Sequence, residues 1–125
     1  MRRIACVAAL TAALAGCGSA VPTSGDVEGG NPRLGAELIA SIGCGACHRV
    51  PGVDGADGRV APPLDDFGAR PFIAGELEHT PENLVRWIME PQAVDPGSGM
   101  PDLGVDEQAA RHMAAYLRTL GTDSG

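Results

Sequence analysis

Aromatic side chains are scarce in this 125-residue chain, at 3% of residues, and lysine is absent, since all nine basic residues are arginine. With so few large side chains, the core is thin. A domain this small then needs a staple, a metal or a cofactor to supply the missing apolar mass. Positive charge is short as well: 16 acidic residues face nine arginines and no basic tract exists. Without charge to neutralise phosphates, nucleic-acid binding is disfavoured. No stretch approaches the roughly 20 apolar residues of a spanning helix. Alternating runs long enough for a sheet, and internal repeats, are also missing. What is plentiful is turn chemistry, with 18 Gly and 10 Pro in a length that makes one domain at most.

The chain opens as an export signal. Arg2 and Arg3 supply the positive start, and Ile4 to Leu14 form a short apolar run. Leu14-Ala15-Gly16-Cys17 resembles a lipobox, the bacterial signal whose cysteine is lipidated and becomes the first mature residue. The alternative is an ordinary secretory signal that leaves Cys17 a spare thiol. Removing residues 1–16 takes away Arg2 and Arg3 and no acid, so the formal charge moves from −7 to −9. That charge predicts partners with basic docking surfaces and salt-sensitive association. Residues 17–30 read as the lipidated terminus and a flexible Gly/Ser/Pro tether spanning on the order of 20 Å. Residues 31–121 are the expected folded domain, and 122–125 a disordered tail.

Three helices are predicted. Asn31 caps the first, Pro32 opens it, Leu34, Leu38, Ile39 and Ile42 give its apolar face, and Gly43 closes it. Thr80 and Pro81 start the second, which buries Leu84, Val85 and Ile88 and is ended by Pro91. Asp106 starts the last, with Ala109, Met113, Tyr116, Leu117 and Leu120 as its stripe and Gly121 as its close. The connections from Arg49 to Gly75 and from Gln92 to Gly104 are long and rich in Gly and Pro. Loops of that length fit when they wrap a cofactor.

Cys44-Gly45-Ala46-Cys47-His48 is a C-x-x-C-H sequence, read as covalent haem attachment. Both thiols can form thioethers with haem vinyl groups while the adjacent imidazole reaches the iron. Two small residues between the cysteines let the backbone run close to the porphyrin. A thioredoxin-like motif would want a strand before it and a helix after it. A zinc site would want a second ligand pair, and the other cysteines, Cys6 and Cys17, lie in the signal region. A structural disulfide leaves His48 unexplained.

Five residues could supply a second axial ligand: Met89, Met100, Met113, His79 and His112. Met113 lies in an apolar stripe and Met89 beside one, so packing accounts for both. His112 points about 100° from Met113, toward solvent, and His79 is an exposed residue before a helix cap. Met100 sits instead in Pro96-Gly97-Ser98-Gly99-Met100-Pro101, a loop stiffened by proline on either side. Pre-stiffening lowers the entropy lost when the thioether binds, so Met100 is the expected ligand.

From Asn31 to Leu120 the chain resembles a class I cytochrome c domain. Phe72-Ile73-Ala74-Gly75, Thr80-Pro81-Glu82-Asn83-Leu84, Trp87-Ile88, Pro91, Pro96-Gly97 and Met100-Pro101 resemble the cytochrome domain fused to subunit II of caa3-type haem–copper oxidases, and small cytochromes related to it. The resemblance implies an all-α fold of three or more helices, with long loops wrapped around one covalent haem c. In it the first and last helices cross near Gly35 and Tyr116. It implies that the Pro62 carbonyl accepts a hydrogen bond from His48, and that Arg70 and Trp87 serve the haem propionates. The other reading of that pair is a surface arginine and a packing tryptophan. Relatives commonly carry asparagine where His79 stands and glycine before the proline, where this chain has Ala61.

With His48 and Met100 on opposite faces, iron keeps no position for a small-molecule substrate. The implied function is single-electron transfer, not enzymatic turnover, between an upstream reductase and an oxidase, with the membrane held through the lipid anchor on the extracytoplasmic side. A haem subunit fixed in a larger complex is one alternative. A gas- or peroxide-reactive haem, should Met100 not ligate, is the other. The attachment motif yields a direct expectation: mass spectrometry of the denatured protein shows one haem retained on the polypeptide. Extraction of that haem by acid–acetone would refute the thioether reading.

Overall fold

A computed structural model describes residues 27–122. The expected signal segment 1–16, the Cys17 lipidation site and the tether through residue 26 lie outside the described residues, as do residues 123–125.

Asn31 and Pro32 start α1 (Pro32–Ile42): the Asn31 side chain accepts the Leu34 N–H at 3.2 Å, and proline brings no orphan donor to the first turn. Gly43, at φ 92°, takes the left-handed turn that ends the helix. Thr80 caps α2 (Pro81–Met89) by accepting the Asn83 N–H, and Asp106 caps α4 (Glu107–Leu117) by accepting the Ala109 N–H. Between them lies a helix that the loop reading missed, α3 (Pro91–Val94). Pro91 ends α2 as expected, and the same fixed φ that stops one helix begins the next. A small antiparallel ribbon pairs β1 (Phe72–Ile73) with β2 (Leu77–Glu78), with Ile73 opposite Leu77. The architecture is helical, with long loops and this one short ribbon among the described residues.

The α1–α4 crossing organises the rest. A β-carbon at Gly35 would lie 2.0 Å from the His112 carbonyl oxygen and 3.0 Å from the Tyr116 Cβ, so only glycine allows this approach. Ala110, Ala114 and Ala115 of α4 are fully buried. The buried face of α1 is centred on Gly35 and Ile39, with Leu38 and Ile42 half-buried at its flank. Tyr116 donates its hydroxyl to the Pro51 carbonyl, tying α4 to the loop after α1, and burial raises its phenol above the ordinary value. α2 packs against α4, and the core closes over Ile39, Val50, Ile73, Leu84 and Pro91.

Three expectations change. Residues 27–30 are packed chain, not tether: Val27 is 4% exposed, and a β-carbon at Gly30 would lie 2.8 Å from the Ala115 Cβ. His112 does not turn to solvent, because its Nδ1 accepts the Asn31 N–H at 3.0 Å. The last helix ends at Leu117 instead of Leu120. The turn that follows spends its carbonyls on a loop, as the Leu120 oxygen accepts the Gly68 N–H at 2.7 Å and Gly121 takes φ 78°.

Gly35→Ala forces α1 and α4 apart or bends one of them, and overpacking of this kind costs about 2–3 kcal/mol. Gly99, with ordinary φ and open space around it, provides the control, as alanine there stays within about 0.5 kcal/mol. Denaturant unfolding of the two variants measures the difference.

Candidate haem site

Gly43 delivers the chain from α1 directly into a 3-10 turn at Cys44–Ala46. The Cys47 and His48 N–H groups both bond the Cys44 carbonyl, at 3.2 and 2.9 Å, which sets His48 one turn beyond Cys44. The following loop folds back over this turn. Gly58 N–H bonds the Gly45 carbonyl at 2.9 Å, and the Val60 and Ala61 N–H groups share the Cys47 carbonyl. A β-carbon at Gly45 would lie 2.6 Å from the Ala56 Cα. The small residue inside the motif therefore admits the protein's own loop, a use that the sequence reading assigned to the porphyrin.

Pro62 is held in front of His48 by its neighbours. Ala61 N–H bonds Cys47 and Leu64 N–H bonds Arg49, while Pro62 and Pro63 donate nothing and keep fixed φ. His48 Nδ1–H donates to the Pro62 carbonyl at 2.7 Å. A carbonyl only accepts, so this bond sets the tautomer and leaves the Nε2 lone pair as the ring's free ligand atom.

Cys44, His48 and Met100 line one apolar cleft of about 470 Å³, open mouth included. Its walls come from Ile39 on α1, Leu84, Trp87 and Ile88 on α2, Met113 and Leu117 on α4, and Val50, Leu64 and Phe67 on the loops. Burial pushes the Cys44 thiol above its ordinary value, with the neighbouring Cys47 adding to the shift. The neutral thiol thus rests against an apolar wall without a buried charge.

Of the five axial candidates, the structure brings Met100 and Met113 to the cleft. Met113 is 3% exposed and fixed within α4, whereas Met100 is half-buried on its loop. Met89 lines a different groove, between α2 and α4. His79 is half-buried, donates Nδ1–H to the Arg70 carbonyl at 2.8 Å and lies against Phe67, so it is not simply an exposed residue before a cap. Trp87 is a cleft wall. Arg70 is not among the lining residues: its guanidinium bonds the Asp66 carboxylate and the Pro63 carbonyl and lies over the Phe67 ring. That contact holds the Asp66 carboxyl below its usual range. Arg70 thereby braces the segment that presents Pro62 and Phe67.

Two participants escaped the sequence reading. Phe67 lines the cleft from a 3-10 turn at Phe67–Ala69, inside a stretch read as bare loop. It is one of only two phenylalanines in the chain, which is the signal that could have marked it. Gln92, on α3, bonds the carbonyls of Ser98 and Met100. Pro91 at the first position of a helix was its available signal.

A family model described as Cytochrome c matches residues 33–121. The chain belongs to the cytochrome c family. Over 88 residues it is 47% identical to cytochrome c oxidase subunit 2 of Bacillus sp. strain PS3, covering 67% of this chain and 25% of that one. It is 30% identical over 100 residues to cytochrome c-type cyt cy of Rhodobacter capsulatus, covering 73% of this chain and 50% of the relative. Cytochrome c2 of Rhodobacter sphaeroides shares the fold, at TM-score 0.56 and 19% identity over 74% of this chain and 97% of that structure. The chain thus spans a quarter to a half of the length of these curated relatives.

Proteins of the cytochrome c family are electron carriers whose cofactor is covalent haem c. The residues present fit that group. The attachment cysteine and the oriented imidazole open on the same apolar cleft, whose exposed lining carries almost no polar surface.

Proposed function

We propose that this cytochrome is a membrane-tethered carrier whose haem is ligated by His48 and Met100, and that it hands single electrons to a haem–copper oxidase. One observation supports the ligation most: Cys44, His48 and Met100, 56 residues apart at the extremes, open on one cleft. What haem c supplies is reversible one-electron chemistry. Cys44 and Cys47 would hold it as thioethers, and His48 Nε2 would ligate its iron. The Pro62 carbonyl keeps the imidazole oriented and more basic. Met100 would supply the second iron ligand, and a soft thioether favours the ferrous state relative to bis-histidine ligation. Ile39, Leu84, Ile88 and Leu117 keep water from the site.

The oxidase as acceptor is supported by the likeness to an oxidase subunit 2. Because that relative carries the domain inside a larger chain, a cytochrome fixed in a complex is the second reading. Purification in mild detergent separates them, since a shuttle leaves alone and a fixed subunit leaves with its complex.

Export and anchoring rest on Arg2, Arg3, the apolar run and Cys17. Stable attachment takes more than one acyl chain, which bacterial lipoproteins usually carry. Because residues 27–30 pack against the domain, the proposed tether comprises residues 18–26. Confinement near the membrane raises the effective concentration of haem at neighbouring complexes. Anionic headgroups repel a mature chain of formal charge −9, which keeps it mobile.

Met100→Ala abolishes the far-red sulfur-to-iron charge-transfer band and lowers the reduction potential, whereas Met113→Ala keeps the band. An unchanged band and potential in Met100→Ala would overturn the ligand assignment. Cys17→Ser releases soluble, haem-loaded protein that delivers electrons more slowly to membranes but normally to a soluble acceptor. Added salt slows the reaction with the oxidase, because attraction is screened beyond about 8–10 Å at physiological ionic strength. Retention of Cys17→Ser in the membrane fraction, or a rate that salt leaves or raises, contradicts this picture.

A further inference from the structure

The loop that presents Met100 has almost no secondary structure of its own. Among the described residues, the one backbone–backbone hydrogen bond found for residues 96–104 runs outside the segment, from Ser98 N–H to the Asp95 carbonyl at 3.0 Å. Pro96 and Pro101 carry no N–H to donate, and Gly97 and Gly104 sit at φ 88° and 69°, conformations that glycine adopts readily. Proline stiffens this loop locally but does not attach it to the body of the protein.

Most of the attachment comes from one side chain. Gln92 Nε2 donates to the Ser98 carbonyl at 2.7 Å and to the Met100 carbonyl at 2.8 Å. Its Oε1 accepts the Gly97 N–H at 3.3 Å, and its own backbone N–H donates to Asp102 Oδ1 at 3.2 Å. A carboxamide offers two donors and an acceptor in one plane, and all three sorts of contact are used here, on either side of the bond leading to Met100. Ser98 Oγ adds a contact to the Met100 N–H at 3.3 Å. Gln92 is itself fixed, because Pro91 is fully buried and α3 follows α2 without a loop.

We propose that Gln92 is a positioning residue for the sixth ligand: its carboxamide fastens Gly97, Ser98 and Met100 to α3, so that the Met100 sulfur meets iron already ordered. The inference rests on the His48/Met100 reading and adds to it the group that decides how firmly Met100 binds. Glutamate at this position keeps the shape but loses both N–H donors and sets a negative charge against two carbonyl oxygens. Methionine keeps the length and offers no donor. Either change leaves the loop to be ordered by ligation itself, which weakens the sulfur–iron bond.

Imidazole, which competes with Met100 for ferric iron, is the probe. In Gln92→Glu and Gln92→Met holoprotein, the imidazole midpoint falls about tenfold to a hundredfold, the range expected from losing two shielded hydrogen bonds. The far-red band weakens in both, while far-UV circular dichroism and the haem content stay as in the parent protein. Hydrogen exchange on the parent protein gives a readout that needs no variant: the Gly97 amide, whose acceptor is the Gln92 side chain, is protected. If Met100→Ala abolishes the band but both Gln92 variants keep the parent midpoint and band, the role of Gln92 is overturned and the ligation stands. Exchange of the Gly97 amide at the free-peptide rate overturns it equally. If the parent protein lacks the band and Met100→Ala leaves the imidazole midpoint unchanged, the ligation reading itself falls.

Discussion

The contact of Gly35 with the His112 carbonyl is the constraint on which the remaining structure depends. Because no side chain separates the helices there, α1 and α4 cross with backbone nearly touching backbone. The crossing puts Ile39, Met113 and Leu117 on one side of a shared space and aims the C-terminal end of α1 at it. Gly43 then needs only one left-handed residue to set Cys44 at the rim and His48 a turn later. α2 leans on α4 and contributes Leu84, Trp87 and Ile88. A chain with 3% aromatics could not fill that space alone. Its apolar walls are what remains for a flat, apolar cofactor to cover.

Polar groups organise the site from outside the cleft. Pro62, Arg70 and Gln92 each work through a carbonyl: Pro62 by offering one to His48, Arg70 by bracing that of Pro63, and Gln92 by gripping those of Ser98 and Met100. Carbonyl oxygens stay acceptors at every pH, so these acceptors do not depend on a protonation state. The segments carrying both candidate ligands are thus stiffened by hydrogen bonds behind them, while the surfaces facing the cleft stay apolar. Such a frame would need little rearrangement if a bound haem iron changed its charge by one.

The protein's charge belongs to a different level of organisation. Among the described residues no acid is buried, and the ion pairs Arg33–Glu37 and Arg111–Glu107 lie one helical turn apart at the surface. Pairs of that kind add little stability. Their surplus partners set the long-range field that a basic docking surface would meet.

Local rules were enough for much of this molecule. Asn31-Pro32, Thr80-Pro81 and Asp106 mark helix starts, because a cap acts on donors three residues away. The attachment motif was legible for the same reason, since its chemistry lies within five consecutive residues. The distant pairings His48–Pro62 and Gly35–Tyr116 came from family resemblance and not from spacing. What only the tertiary structure decided is where polar side chains found their partners. His112 meets Asn31, 81 residues away, Tyr116 meets Pro51, 65 away, and Leu120 gives its carbonyl to Gly68. Val27 and Gly30 look like linker until α4 lies against them. Periodicity reports which face of a helix is apolar, but a hydrogen bond depends on which two surfaces meet. That meeting is set by how closely α1 and α4 can approach, a property of neither segment alone.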